Sequence, residues 1–171
     1  MHAESESKPG AVKNRTTVKR TSDREVVVTR TVNGPARIVY EAFTRADLFQ
    51  RWWVPRSMGM TLLSCDIDAR VGGKYRLVFD HAPEPVAFFG TYVEAEPYSR
   101  LAWTNEEGGE DGPVTTVTFE EQGGKTLVVL RETHPSKESL DAAGTGAADA
   151  MGEQFDQLDE LLLALGESSA R

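Results

Sequence analysis

Met151-Gly152-Glu153-Gln154-Phe155-Asp156-Gln157-Leu158-Asp159-Glu160-Leu161-Leu162-Leu163-Ala164-Leu165-Gly166 decides the architecture of this chain. Within it Met151, Phe155, Leu158, Leu162 and Leu165 recur at i, i+4, i+7, i+11 and i+14, one stripe along a helix of about 18 residues. Glu153, Asp156, Asp159 and Glu160 lie off the stripe, and Gly166 ends the helix. So long an apolar stripe has to cover a packed surface. The residues upstream supply one: segments 62–67, 73–80, 86–95, 100–104, 114–121 and 126–132 are β-branched or aromatic, and turn residues separate them. The breaks are too short for the crossovers that parallel neighbours need, so the strands form an antiparallel meander. Alternation in 114–121 sets Thr115, Val117 and Phe119 on one face and Thr116, Thr118 and Glu120 on the other.

Working outward, residues 25–32 read as a further, first strand, stopped by Asn33-Gly34-Pro35. Pro35 begins a short helix to Thr44, with Val39, Ala42 and Phe43 on one face, and a second short helix spans 46–53, ended by Pro55. Gly144-Thr145-Gly146 separates a short helical turn, 136–143, from the last helix. The expected class is therefore α+β: a curved antiparallel sheet of about seven strands, two short helices after the first strand, and one long C-terminal helix across the packed face. Two short helices cover only one end of such a sheet, which leaves space between sheet and long helix as the candidate cavity. Domain organisation follows: a disordered basic tail over 1–23, one domain over 24–166, and a disordered end over 167–171.

Composition narrows the function. The 171 residues fit one domain, and 39 % apolar content is enough to bury a core. Formal net charge is −8; the first 23 residues carry +2 and the remainder −10, which argues against a nucleic-acid partner. No stretch is long and apolar enough for a signal peptide or a membrane span, so no membrane insertion is expected. The lone Cys65 excludes an intrachain disulfide and fits a reducing, cytoplasmic setting.

Chemical apparatus is sparse. His2, His81, His134 and Cys65 show no metal-ligand spacing, and Asp66 and Asp68 lack the partners of a calcium loop, so neither metal nor cofactor is expected. Gly144-Thr145-Gly146-Ala147-Ala148-Asp149 has no βαβ setting for a dinucleotide, and no Gly-x-Ser-x-Gly elbow occurs. No catalytic residue is assigned. Glu106, Glu107, Glu110 and Asp111 form an acidic hairpin loop, read as a solvated loop or as a docking patch for a basic partner. The aromatics carry more information, being spread over every element that meets at the centre. By parity with Glu94 facing out, and by the helix stripe, Trp52, Phe89, Trp103, Met151 and Phe155 are the expected cavity lining.

Several stretches, in order, resemble the family of activator of heat-shock protein 90 ATPase homologues, in the START-like (SRPBCC, birch-pollen-allergen-like) superfamily. They are Tyr40-Glu41-Ala42-Phe43-Thr44, Arg51-Trp52-Trp53-Val54-Pro55, Asp66-Ile67-Asp68-Ala69-Arg70-Val71-Gly72-Gly73-Lys74-Tyr75, Phe89-Gly90-Thr91-Tyr92-Val93-Glu94 and Phe155-Asp156-Gln157-Leu158-Asp159-Glu160-Leu161-Leu162. The resemblance implies a helix-grip fold around a cavity, and a role in binding small apolar molecules such as a lipid or an aromatic, in assisting a chaperone, or in stress response. The chain departs from the family pattern at Ala150 and Met151, where glycine and tryptophan are common, and at Gly34, where alanine is. Three readings follow: a non-catalytic binder of a small apolar ligand; a chaperone-associated interaction module; and, last, a cyclase- or hydratase-type enzyme using Tyr75, Asp66 or His134 as acid or base.

Overall fold

The computed structural model describes residues 14–109 and 112–169. Among these, eight strands form one antiparallel sheet in the order β1-β2-β8-β7-β6-β5-β4-β3, curved around a long C-terminal helix. The strands are β1 (Thr17–Arg20), β2 (Glu25–Val32), β3 (Leu62–Ile67), β4 (Lys74–Phe79), β5 (Val86–Glu96), β6 (Arg100–Thr104), β7 (Val114–Gln122) and β8 (Lys125–Thr133). The helices are α1 (Ala36–Thr44), α2 (Ala46–Phe49), α3 (Lys137–Ala143), α4 (Gly146–Asp149) and α5 (Met151–Ser169), with a 3-10 turn at Arg56–Met58. This is the helix-grip arrangement expected from the sequence.

The strand count is eight rather than seven. The added strand is β1, inside the stretch expected to be a disordered tail; the first 13 residues of that stretch lie outside the described residues. Thr17–Arg20 carries little apolar character of its own, but it lies on the sheet edge and pairs its backbone with Val26 through Thr29 of β2. An edge strand needs only one ladder of hydrogen bonds, and charged side chains such as Lys19 and Arg20 suit it. At the other terminus α5 continues past Gly166 to Ser169, because an interior glycine costs a helix only about 1 kcal/mol relative to alanine. The second short helix also stops early, at Phe49.

Alternation drives the packing. In β2 the inward positions Val26, Val28, Arg30 and Val32 are all buried, and their neighbours only partly so. Beyond Val32 the chain turns at Gly34, where a Cβ would lie 3.2 Å from Leu162 of α5; the missing side chain lets α1 enter close under the helix. Glu121 at the end of β7 accepts from the Ala36 backbone N–H at 2.9 Å, satisfying one of the free donors of the first turn of α1. Tyr40 and Phe43 of α1 then stand edge-on to Phe119 of β7 at 5.4 and 5.3 Å. Gly90 in β5 has a similar reason: a Cβ there would fall 1.8 Å from the Thr104 carbonyl oxygen, so only glycine permits the close approach of the two backbones at that point.

Two devices fix α5. Arg30, 2 % exposed, pairs with Asp156 at 3.0 Å and Asp159 at 2.6 Å, and Asp159 also accepts from the Asn33 backbone N–H at 2.7 Å. On the other flank the Gln157 amide donates to the Trp52 and Val54 carbonyls at 3.0 and 2.9 Å and accepts from Arg56 N–H at 2.9 Å. Gln154 donates to the Trp53 carbonyl, and Glu153 accepts from the backbone and hydroxyl of Ser57. The irregular backbone 52–57 thus finds its hydrogen-bond partners on one face of α5.

Candidate functional site

Between the inner sheet face and the start of α5 lies a cavity of about 550 Å³. The sheet supplies Val26, Val28, Tyr75, Leu77, Trp103 and Leu130, and the loop before β3 supplies Trp53 and Met60. The roof is Ala147, Ala148, Ala150 and Met151, with Gly146 beside them. The side chains of Ala147, Ala148 and Ala150 are too small to fill the space opposite the sheet. Exposed Met58, Phe88 and Glu107 also line it, so the cavity reaches the surface at these residues.

Of the five residues expected to line it, Trp103 and Met151 do. Trp52 and Phe155 are wholly buried in the core beside it, stacked on each other at 6.2 Å, with the Trp52 indole N–H donating to the Ala42 carbonyl at 2.9 Å. Phe89 is 39 % exposed and off the cavity; its neighbour Phe88 lines it instead. The cause is a register shift in β5 between Tyr92 and Glu94, which reverses the in–out parity counted back from Glu94. The same shift puts Tyr92 on the lining, and the loop geometry after α2 puts Trp53 there in place of Trp52.

Polar groups lie along one strip of the lining. The Tyr75 hydroxyl lies 3.1 Å from the Thr104 carbonyl and 3.0 Å from Asn105 Oδ1, and donates its one proton to this pair. Asn105 Nδ2 donates to the Pro113 carbonyl and to Thr115 Oγ1, both at 3.0 Å. Thr115 sits directly across the β7–β8 ladder from Glu132. Glu132 Oε1 is 3.1 Å from His134 Nε2, and His134 Nδ1 is 3.0 Å from the Ser139 hydroxyl. When the neutral ring donates Nε2–H to Glu132, its Nδ1 accepts the Ser139 proton.

This chain of Ser139, His134 and Glu132 has the composition of a hydrolase triad, but the carboxylate is the member that lines the cavity. Neither Ser139 nor His134 is on the lining, so the hydroxyl is not placed to attack a molecule held there. Burial pushes the Tyr75 and Tyr92 phenols far above their ordinary range, so both stay protonated hydrogen-bonding groups. Asp66 is exposed on β3, away from the lining. Cys65 is also off it, and burial raises its thiol to about 11, which leaves little thiolate near neutral pH. Among the described residues no cluster of three or more His, Cys, Asp or Glu could hold a metal, and no helix is long and apolar enough to cross a membrane.

In the acidic loop, Glu110 and Asp111 lie outside the described residues. Glu106 accepts from the Thr91 and Thr104 hydroxyls, which hold its carboxyl below the usual glutamate range, and Glu107 accepts from the Phe89 backbone N–H. Each carboxylate thus accepts a hydrogen bond from β5, Glu107 from an exposed position.

Solved structures share this architecture. A protein of Rhodobacter sphaeroides superposes with a TM-score of 0.78 at 22 % identity, covering 88 % of this chain and 99 % of that one. A protein of Mycobacterium smegmatis gives a TM-score of 0.75 at 22 % identity, with 88 % and 99 % covered. One from Chromobacterium violaceum gives 0.68 at 26 % identity, with 82 % and 98 % covered. No curated protein matches the chain in sequence. The model of one family, Activator of Hsp90 ATPase homolog 1-like protein, matches residues 33–163, from the turn before α1 nearly to the end of the α5 stripe. The chain belongs to that family.

Proposed function

We propose that the protein binds a small, largely apolar molecule in the cavity between sheet and α5, and acts by holding it rather than transforming it. The observation that carries this reading is the cavity itself. At about 550 Å³ it lies within the roughly 300–1,000 Å³ of small-molecule sites, and its wall is mostly aliphatic and aromatic. Tyr75 stays protonated, and Asp66 and His134 lie off the lining, so the three supply no acid–base pair on that wall, which favours binding over turnover.

Trp53 and Trp103 line the cavity and report on its contents. Titration with a panel of lipids and aromatic compounds should shift or quench tryptophan emission saturably. Ligand at about 100 times its Kd should add roughly 2.7 kcal/mol of stability, read as a rise in Tm. No saturable response across the panel would remove the proposal. The family also raises a chaperone role. Against docking through the acidic loop stands the hydrogen bonding of Glu106 and Glu107 to β5. Stimulation of a chaperone ATPase, lost on neutralising both residues, would shift the reading to an interaction module.

A further inference from the structure

The ionisable groups on the cavity wall have one sign. Glu107 and Glu132 line it, and among its lining residues there is no Lys, Arg or His. Glu132 is no stray surface charge: its side chain is 31 % exposed and accepts from His134, itself 3 % exposed. Thr115, 5 % exposed, faces the same space from the neighbouring strand, and its hydroxyl is oriented by Asn105. The wall therefore has an apolar body of Val26, Val28, Leu77 and Leu130 and a polar strip of Asn105, Thr115 and Glu132.

A molecule that fills such a space takes water away from Glu132. If it offers no donor there, the carboxylate loses hydration without replacement; if it carries its own carboxylate or phosphate, like charges face each other at low dielectric. A protonated amine replaces the lost water with charge-assisted hydrogen bonds. Trp103, Tyr75 and Tyr92 also line the space, and aromatic rings can add attraction for a cation that they do not offer an anion. We infer that the occupant is a cationic amphiphile: an aromatic or aliphatic body with a protonated amine at one end, received by Glu132 with Thr115 and Asn105 beside it. Fatty acids and other anionic lipids are disfavoured occupants. The inference rests on the proposed binding role and adds the class of ligand.

Three probes with one tail separate the two statements: phenylhexylamine, phenylhexanol and phenylhexanoate, titrated at neutral pH and followed by tryptophan emission and Tm. The amine should bind about tenfold more tightly than the alcohol, and the alcohol more tightly than the carboxylate. Glu132→Gln, which keeps an acceptor for His134, should bring amine and alcohol to within about threefold, chiefly by weakening the amine. Glu107→Gln, at an exposed position, should lower the amine preference by a smaller factor, and added salt should lower it further. Should Glu132→Gln fail to fold, Glu107→Gln and the salt series decide the matter. Equal binding of all three probes, preference for the carboxylate, or an amine preference that neither the variants nor salt reduce would overturn the inference and leave the binding role standing. Absence of binding by all three, and by the wider panel, would overturn both.

Discussion

The two ends of α5 are held to the sheet by different physics. Beyond its first two turns, Leu158 and Leu162 belong with Val32, Val39 and Val117 to a core where most side chains are wholly buried. Toward its start, Met151 faces a void, and the helix is held by amide and carboxylate side chains gripping the 52–57 backbone. Along β2 the change is visible residue by residue: Val26 and Val28 line the cavity, Arg30 pairs with Asp156 and Asp159, and Val32 is solid core. Arg30 is the divider. A helix pinned by apolar packing at one end and by hydrogen bonds at the other can keep an empty space beneath it without depending on that space for stability.

The largest test of this contrast is a pair of truncations. Leu158→Ala, at a wholly buried position, should cost about 3–5 kcal/mol in urea unfolding. Met151→Ala should cost about half as much, since one side of that side chain has no partner atoms to lose. Equal losses would mean that the cavity end is packed as tightly as the other. Next in size is Gln157→Leu. It leaves the Trp52 and Val54 carbonyls and the Arg56 N–H unsatisfied near a buried side chain, a cost of about 2–3 kcal/mol. Hydrogen exchange should then speed up at the Arg56 amide and not in α1; acceleration spread equally over both would break the division. Enlargement sharpens it from the other side. Val32→Phe overpacks a filled core and should cost about 1–3 kcal/mol, whereas Val28→Phe enters the cavity and should change stability by less than about 1 kcal/mol while weakening ligand binding.

The same division separates what was legible in the sequence from what was not. The packed end announces itself: Phe155, Leu158 and Leu162 recur at helical spacing, the β2 valines alternate, and both patterns survive any local irregularity. The cavity end depends on details without periodicity. A single register shift in β5 moved Phe89 off the wall and brought Phe88 onto it. Trp52 and Trp53 are adjacent in sequence, yet only the loop geometry puts Trp53 on the cavity and Trp52 in the core. Gln154 and Gln157 carry no hydrophobic signal; their role exists only because the 52–57 backbone needs partners. β1 was missed for a related reason: its pairing belongs to the edge of β2 rather than to its own side chains. Glu132 and Thr115 become one polar strip only through the β7–β8 register.

The smallest expected effect lies where the hydrogen-bonded end meets solvent. The Ser57 hydroxyl, with its backbone N–H, holds the Glu153 carboxyl below the ordinary glutamate range. A carboxyl depressed in the folded state adds stability that is present above its unfolded pKa and is lost as pH falls through the folded one. Ser57→Ala removes the larger cause and keeps the backbone donor, so the Glu153 carboxyl should titrate at a higher pH in a carbon-detected NMR titration without returning fully to its unfolded value. The stability difference between the parent and Ser57→Ala should be small, because Ser57 is exposed, and should vanish at acid pH where Glu153 is protonated in both. A Glu153 titration unmoved by Ser57→Ala would mean that the contact does not persist in solution. The 52–57 backbone would then be held to α5 by Gln154, Gln157 and the Arg56–Glu160 ion pair, and the Ser57–Met58 end of the turn, where the cavity reaches the surface, would be the less tethered part.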